Sequence, residues 1–163
     1  MLFSRLQSEL QYLLESDAEN MLSAVGNKKF EFVVASKNLE KFLKQLKNAE
    51  AVYFRGGRTL KLMRKLEPIK RKLKKAFEGK TILGSSAGAI MLGKYYYDQE
   101  QDGIQKGFNL IPAKIMTHYL SKGEYAKVSG KEKLELLKEY KEGLPVYAVK
   151  ETEFEVVENV LRI

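Results

Sequence analysis

The stretch KTILGSSAGAIMLGK, from Lys80 to Lys94, decides the fold of this chain. Its first apolar residues are typical of a short buried strand, and the small and apolar residues after Gly88 are typical of a helix. Between them lies the pattern Gly-x-Ser-x-Gly, in the strand–turn–helix context called a nucleophile elbow. The turn is so sharp that Ser86 takes a strained backbone conformation, and only small residues two positions away let strand and helix pass so closely. A packing loop whose glycines serve only tight contact is the alternative interpretation.

The composition is that of a single globular domain over residues 1–163. Hydrophobic residues make up 44% and charged residues 31% of the 163 positions, and no apolar run is long enough to span a membrane. The chain has no cysteine and one histidine, which excludes disulfides, a cysteine nucleophile and histidine-rich metal sites. Its first residues lack the layout of a signal peptide, so we expect a cytoplasmic protein with no membrane partner.

The charge balance is strongly basic, with a formal net charge of +8 at pH 7. Such an excess can indicate a nucleic-acid-binding protein. Much of it lies within residues 61–80 on one amphipathic helical pattern, where no aromatic residues alternate with the basic ones as they would in a platform for single strands. We interpret this run as a solvated helix face and do not expect nucleic acid as a partner, although binding through this helix remains the weaker alternative.

Helical and extended patterns alternate along the chain. Apolar periodicity predicts helices over residues 5–22, 36–48 (with Ser36 as the cap) and 131–142, and a basic helix over 60–77 that Pro68 kinks or divides. Apolar runs predict strands at residues 30–34, 51–54, 81–83, 110–116, 146–149 and 154–157. This alternation predicts an α/β layered fold with a mostly parallel sheet, whose last two strands form an antiparallel pair.

Candidate catalytic residues follow the ends of several predicted strands, where the functional loops of such a sheet gather. A serine needs a base to become a nucleophile, and His118 is the only histidine. A carboxylate would orient the imidazole, and Glu151 lies at a predicted strand end, with Asp98 and Asp102 as rivals. For a lone histidine, a surface or satisfied core position is the alternative interpretation.

The oxyanion formed by attack on a carbonyl group needs two fixed donors. The backbone N–H of Ala87, directly after the serine, is one by geometry. Gly56 and Gly57 lie in another strand-to-helix loop, where backbone without side chains could approach a substrate and supply the second. Ordinary turn chemistry explains these two glycines equally well.

Four segments together form a specific pattern. The first is AVYFRGGRTLKL (residues 51–62), similar to a Gly-Gly-Gly-Asn-Thr motif, and the second is GSSAGA (84–89), similar to a Gly-x-Ser-Ala-Gly-Ala elbow. The third is GFNLIP followed by THY (107–112 and 117–119), similar to Gly-Leu-Gly-Leu-Leu-Pro…His-Phe, and the fourth is VYAVKET (146–152), similar to Gly-Leu-x-Glu-Gly. In this order they resemble the motifs of the peptidase E and cyanophycinase family of serine peptidases, over roughly residues 50–157.

The resemblance implies a class I glutamine amidotransferase-like fold, a flavodoxin-like three-layer sandwich with a mostly parallel sheet flanked by helices. On that basis Ser86 is the nucleophile, His118 the base and Glu151 the orienting acid of a triad, while Gly57 and Ala87 donate to the oxyanion. Known members cleave aspartyl dipeptides or the β-linked aspartate–arginine units of cyanophycin, without metal or cofactor. We therefore expect a serine peptidase that acts on a small peptide.

The sequence departs from the family pattern in two places. Arg55 and Arg58 replace a glycine and an asparagine of the Gly-Gly-Gly-Asn-Thr motif, and their guanidinium groups could bind a substrate carboxylate or serve in structural ion pairs. The N-terminal region lacks the strand and helix with which family members begin, which suggests a shortened relative that repairs its sheet by forming a homodimer, or a piece of a longer product. The alternative function is therefore a non-catalytic relative that binds an acidic small molecule or serves an assembly.

Overall fold

The computed structural model describes residues 19, 31, 33–98, 101–122 and 130–158. The chain divides into two units, residues 1–36 and residues 37–163, and every element named below belongs to the second. In the described part of the chain, no helix is both long and apolar enough to cross a membrane.

In the first half of this unit, helices connect two parallel strands. Its elements are helix α1 (Leu39–Asn48), strand β1 (Ala51–Phe54), helix α2 (Thr59–Leu66), a 3-10 turn (Glu67–Ile69), helix α3 (Lys70–Ala76) and strand β2 (Thr81–Gly84). Strands β1 and β2 pair in parallel, with Ala51 opposite Thr81 and Phe54 opposite Gly84. The 3-10 turn contains Pro68, which divides the basic helix as its sequence predicts.

The start of α1 corrects one prediction. The cap is Asn38 rather than Ser36, because the Asn38 side-chain oxygen accepts the backbone N–H groups of Glu40 and Lys41, each at 3.0 Å. Asparagine and serine are comparable caps, so composition alone does not choose between two candidates this close together.

An apolar core covers one face of β1 and β2. It contains Phe42 and Leu46 from α1, Leu73 from α3 and Phe77 directly after α3, together with Val52, Phe54 and Ile82 from the strands. The charged residues of the same helices are mostly exposed, as the interpretation of a solvated basic face expects.

The second half is a four-stranded sheet. After helix α4 (Ala87–Leu92) come strands β3 (Tyr95–Asp98), β4 (Gly103–Lys106) and β5 (Lys114–Met116), then helix α5 (Lys131–Glu139) and strand β6 (Val146–Ala148). The strand order is β4-β3-β5-β6. Strands β3 and β4 form an antiparallel hairpin, whereas β5 pairs in parallel with both β3 and β6.

This sheet lies between two helical layers. On one face Tyr95, Tyr97 and Met116 pack against Leu134 and Leu137 of α5. On the other face Tyr96 and Ile115 pack against Ile90 of α4 and Met63 of α2. The α/β fold class with a mostly parallel sheet flanked by helices is therefore confirmed.

Other predicted elements differ from the structure or lie outside it. Residues 31, 33 and 34 are not in a strand, and Val33 and Val34 are both exposed. The antiparallel C-terminal pair does not form, because residues 153–158 have no regular structure and β6 pairs in parallel with β5 instead. The antiparallel pair is β3 with β4, in a polar region where no alternating pattern marks a strand. The predicted helix over residues 5–22 falls outside the described residues, apart from the isolated position 19.

Candidate active site

The elbow serine lies between the end of β2 and the start of α4. Ser86 has φ +48° and ψ −115°, a backbone conformation that residues other than glycine rarely adopt. The glycines on either side are required by close packing: a Cβ at Gly84 would lie 2.7 Å from the Cα of Ala89, and one at Gly88 would overlap the carbonyl oxygen of Phe54. The sharp turn holds the serine side chain at the carboxyl end of β2.

The histidine follows β5 in a tight turn. The Nε2 atom of His118 lies 2.8 Å from the Oγ atom of Ser86, within hydrogen-bonding distance. His118 itself has φ +59°, so a second non-glycine residue of the site lies in the left-handed region. The strand and its turn therefore bring together two residues that are 32 positions apart in sequence.

The carboxylate follows β6. The Nδ1 atom of His118 lies 2.6 Å from Oε1 of Glu151. The hydrogen bond from His118 and a second one from Ser121 hold the pKa of Glu151 below its usual value. The ring of His118 is largely shielded, with 17% of its side chain exposed, whereas 57% of the Glu151 side chain is exposed.

The two rival carboxylates are engaged elsewhere. Asp98 is buried at the end of β3, where its side chain accepts the backbone N–H of Gln101 at 2.9 Å. Asp102 accepts the hydroxyl of Tyr97 at 2.8 Å and lies 3.4 Å from the ammonium group of Lys133. The Tyr97 hydroxyl and then the Lys133 charge lower the pKa of Asp102. Of the three acidic candidates, Glu151 is the one that the structure brings against His118.

This arrangement favours proton transfer from the serine hydroxyl to the histidine. A carboxylate at Nδ1 holds the proton on that nitrogen, which leaves Nε2 as an acceptor for the serine hydroxyl. If His118 took the proton of that hydroxyl, the imidazole would become charged and the adjacent carboxylate would stabilise it. The three side chains can therefore act as nucleophile, base and orienting acid.

The backbone around Ser86 offers hydrogen-bond donors. The N–H of Ala87 begins α4 and, among the described residues, donates to no acceptor. Gly56 lies against the serine, since a Cβ on it would be 3.9 Å from Ser86 Oγ, and Gly57 beside it has φ +142° with open space around its Cα. The two loops thus meet at the serine, where a carbonyl oxygen would need donors.

The remaining sequence-predicted residues flank this loop. Arg55 directly follows β1 and is partly buried, and Arg58 is exposed at the N-cap of α2. Within the described residues no cluster of three or more histidine and acidic side chains could hold a metal ion.

The motifs do not include one neighbour of the site, Ser121. Its Oγ atom donates to Oε1 of Glu151 at 3.0 Å. Its only signal in the sequence is a hydroxyl three positions after the histidine, which is too common a feature to single out.

Comparisons with known proteins agree with this architecture. The sequence profile of Peptidase family S51 matches residues 5–160. A 1.5 Å crystal structure of a candidate peptidase E protein from Listeria monocytogenes EGD-e is similar, with a TM-score of 0.51 at 20% sequence identity. The similarity covers 73% of this chain and 61% of that one, so the chain spans less than two thirds of that relative. Among curated proteins, no sequence matches.

These findings define the class of fold as α/β, with a mostly parallel sheet flanked by helices. The chain belongs to Peptidase family S51. The resemblance to the peptidase E family that its four motifs indicate is thereby confirmed.

Proposed function

We propose that this protein is a serine peptidase that hydrolyses small peptides through an acyl-enzyme. The observation that carries the proposal is the continuous hydrogen-bonded chain from Ser86 through His118 to Glu151, with links of 2.8 and 2.6 Å. A histidine and a glutamate can also form an ion pair that only stabilises the fold. Such a pair gives no reason for a serine with a strained backbone to lie at the other ring nitrogen. The strained backbone of Ser86 supports a functional role, because such strain concentrates at active sites.

The proposed reaction has two halves. In the first, Nε2 of His118 takes the hydroxyl proton while Oγ of Ser86 bonds to the peptide carbonyl carbon, and the N–H groups of Gly57 and Ala87 stabilise the oxyanion. The C–N bond then breaks as the imidazolium gives that proton to the leaving amine. In the second half a water molecule, deprotonated by His118, attacks the ester, and Ser86 regains its proton as the acid leaves.

The proposed substrates are small peptides with an acidic residue, such as aspartyl dipeptides. Support comes from the two cationic side chains beside the glycine loop, Arg55 and Arg58, since a guanidinium group pairs well with a carboxylate. We place this activity in the cytoplasm, in keeping with a sequence that has no cysteine.

Labelling with a fluorophosphonate tests the serine mechanism. These reagents phosphonylate activated serines, so wild-type protein should gain the mass of one adduct, and peptide mapping should find it on Ser86. Denatured protein serves as the control and should gain none. Folded protein without an adduct would contradict the proposal and favour a binding protein without catalysis.

A dipeptide pair tests the proposed role of the cations. Replacing Arg58 with alanine should raise KM for a dipeptide with N-terminal aspartate by about tenfold, the low end for a hydrogen bond to a charged group, because Arg58 is exposed. The matching asparagine dipeptide should be unaffected. Arg64→Ala, an exposed arginine further along α2, is the control. Equal effects on both dipeptides would rule out charge recognition by Arg58.

A further inference from the structure

We infer that Ser121 is a positioning residue, whose hydroxyl holds the carboxylate of Glu151 against the imidazole of His118. This inference rests on the proposed function, and it adds a fourth side chain to the three that the motifs supply.

The hydroxyl and the imidazole share one acceptor atom. Oε1 of Glu151 accepts a hydrogen bond from Oγ of Ser121 at 3.0 Å and another from Nδ1 of His118 at 2.6 Å. The backbone carbonyl of Lys122 is a second possible acceptor for the hydroxyl, at 3.4 Å. The carboxylate is both nearer and charged, and charged acceptors make the stronger bonds, so the hydroxyl proton points to Glu151.

Glu151 needs such a restraint because it is exposed. More than half of its side chain is open to solvent, with 57% exposed. A glutamate in this setting has three rotatable side-chain bonds and loses much rotamer freedom when it is fixed. The bond to His118 alone restrains the carboxylate from one direction only. A second donor on the same oxygen confines the carboxylate to the position in which it meets Nδ1.

The backbone places Ser121 for this role. The N–H of Ser121 donates to the carbonyl oxygen of His118 at 2.9 Å, which closes a four-residue turn with the histidine at one end and the serine at the other. The N–H of Tyr119, inside the turn, donates to the carbonyl oxygen of Val149 at 3.0 Å. This bond ties the turn to the chain two residues before Glu151. One turn therefore sets the positions of both donors relative to the carboxylate.

The electrostatics agree with the geometry. After the bond from His118, the hydrogen bond from Ser121 is the next largest cause that lowers the pKa of Glu151. A donor that stabilises the ionised carboxylate lowers its pKa, so removal of the hydroxyl should raise it.

The experiment is a double-mutant cycle on the rate constant of fluorophosphonate labelling at Ser86. Ser121→Ala should reduce this rate constant about tenfold in the wild-type background. Ser121→Thr, which keeps the hydroxyl, should restore it. In the Glu151→Ala background, Ser121→Ala should have an effect of less than about twofold, because the acceptor of the Ser121 hydroxyl is gone. Lys122→Ala, at the exposed next position, is the matched control for disturbance of the loop.

Three results would overturn the inference: wild-type labelling in Ser121→Ala, a loss in Ser121→Thr equal to that in the alanine variant, or the same fractional loss in both backgrounds. An equal loss in both backgrounds would indicate that Ser121 stabilises the loop and does not act through Glu151.

Titration of the Glu151 side-chain carboxyl by 13C NMR gives a readout that does not need catalysis. Its midpoint should move to higher pH in Ser121→Ala, and an unchanged midpoint would also overturn the inference. If wild-type protein is not labelled at all, the proposed function fails, and the titration still decides whether Ser121 holds Glu151.

Discussion

Replacing Ser86 with alanine is expected to reduce peptide hydrolysis by roughly 10⁴-fold or more, because loss of the nucleophile removes the covalent pathway altogether. The same variant should take up no fluorophosphonate. Alanine keeps the Cβ atom of the side chain, and among the described residues the hydroxyl makes one hydrogen bond, to His118. The variant should therefore fold like the wild type, with the same circular dichroism spectrum.

The adjacent serine provides the matched control. Ser85 is exposed, and its backbone N–H donates to the carbonyl oxygen of Phe54 at 2.9 Å, a bond that does not depend on the side chain. Ser85→Ala should keep wild-type labelling and hydrolysis. If hydrolysis survives in folded Ser86→Ala but disappears in Ser85→Ala, the nucleophile is Ser85 and our assignment of Ser86 is wrong.

The second large effect is on stability. Gly88→Ala should lower the free energy of unfolding by more than about 3 kcal/mol, because the new methyl group would overlap the backbone carbonyl of Phe54. Alanine is favoured over glycine inside a helix by only about 1 kcal/mol, so the clash dominates. The obstacle is backbone in β1, which cannot rotate away as a side chain can. Urea denaturation followed by circular dichroism measures the change.

A glycine in open space serves as the control for this substitution. A Cβ on Gly143 would meet no atom within 4 Å. Gly143→Ala should therefore change the free energy of unfolding by less than about 0.5 kcal/mol. Equal unfolding midpoints for Gly88→Ala and Gly143→Ala would show that strand and helix can move apart at the elbow.

The sequence predicts the parts of the site that depend on local sterics. The elbow around Ser86 is predicted from its two flanking glycines. In the structure both positions require glycine, because α4 passes so close to the strands that a Cβ atom would collide with backbone. The division of the basic helix at Pro68 is local in the same sense, because proline lacks the N–H that a continuous helix needs.

Local sequence patterns could not predict which carboxylate pairs with His118. Glu151 follows a predicted strand, whereas Asp98 and Asp102 lie in a polar stretch. Which of the three carboxylates meets His118 depends on strand order. The parallel pairing of β5 with β6 brings residue 151 next to the histidine turn. The hairpin of β3 and β4 turns the two aspartates toward Gln101, Tyr97 and Lys133. The same pairing of β5 with β6 brings the hydroxyl of Ser121 next to Glu151, so its role could not be predicted from local sequence either.

The left-handed backbone at Ser86 and His118 has an evolutionary consequence. Glycine adopts such φ values without strain, whereas other residues are destabilised there by roughly 1 kcal/mol or more. Mutation to glycine at either position would therefore be favoured by stability alone. In a lineage that lost the use of this site, the function of these two side chains would no longer offset the backbone strain, and glycine would be tolerated at both positions.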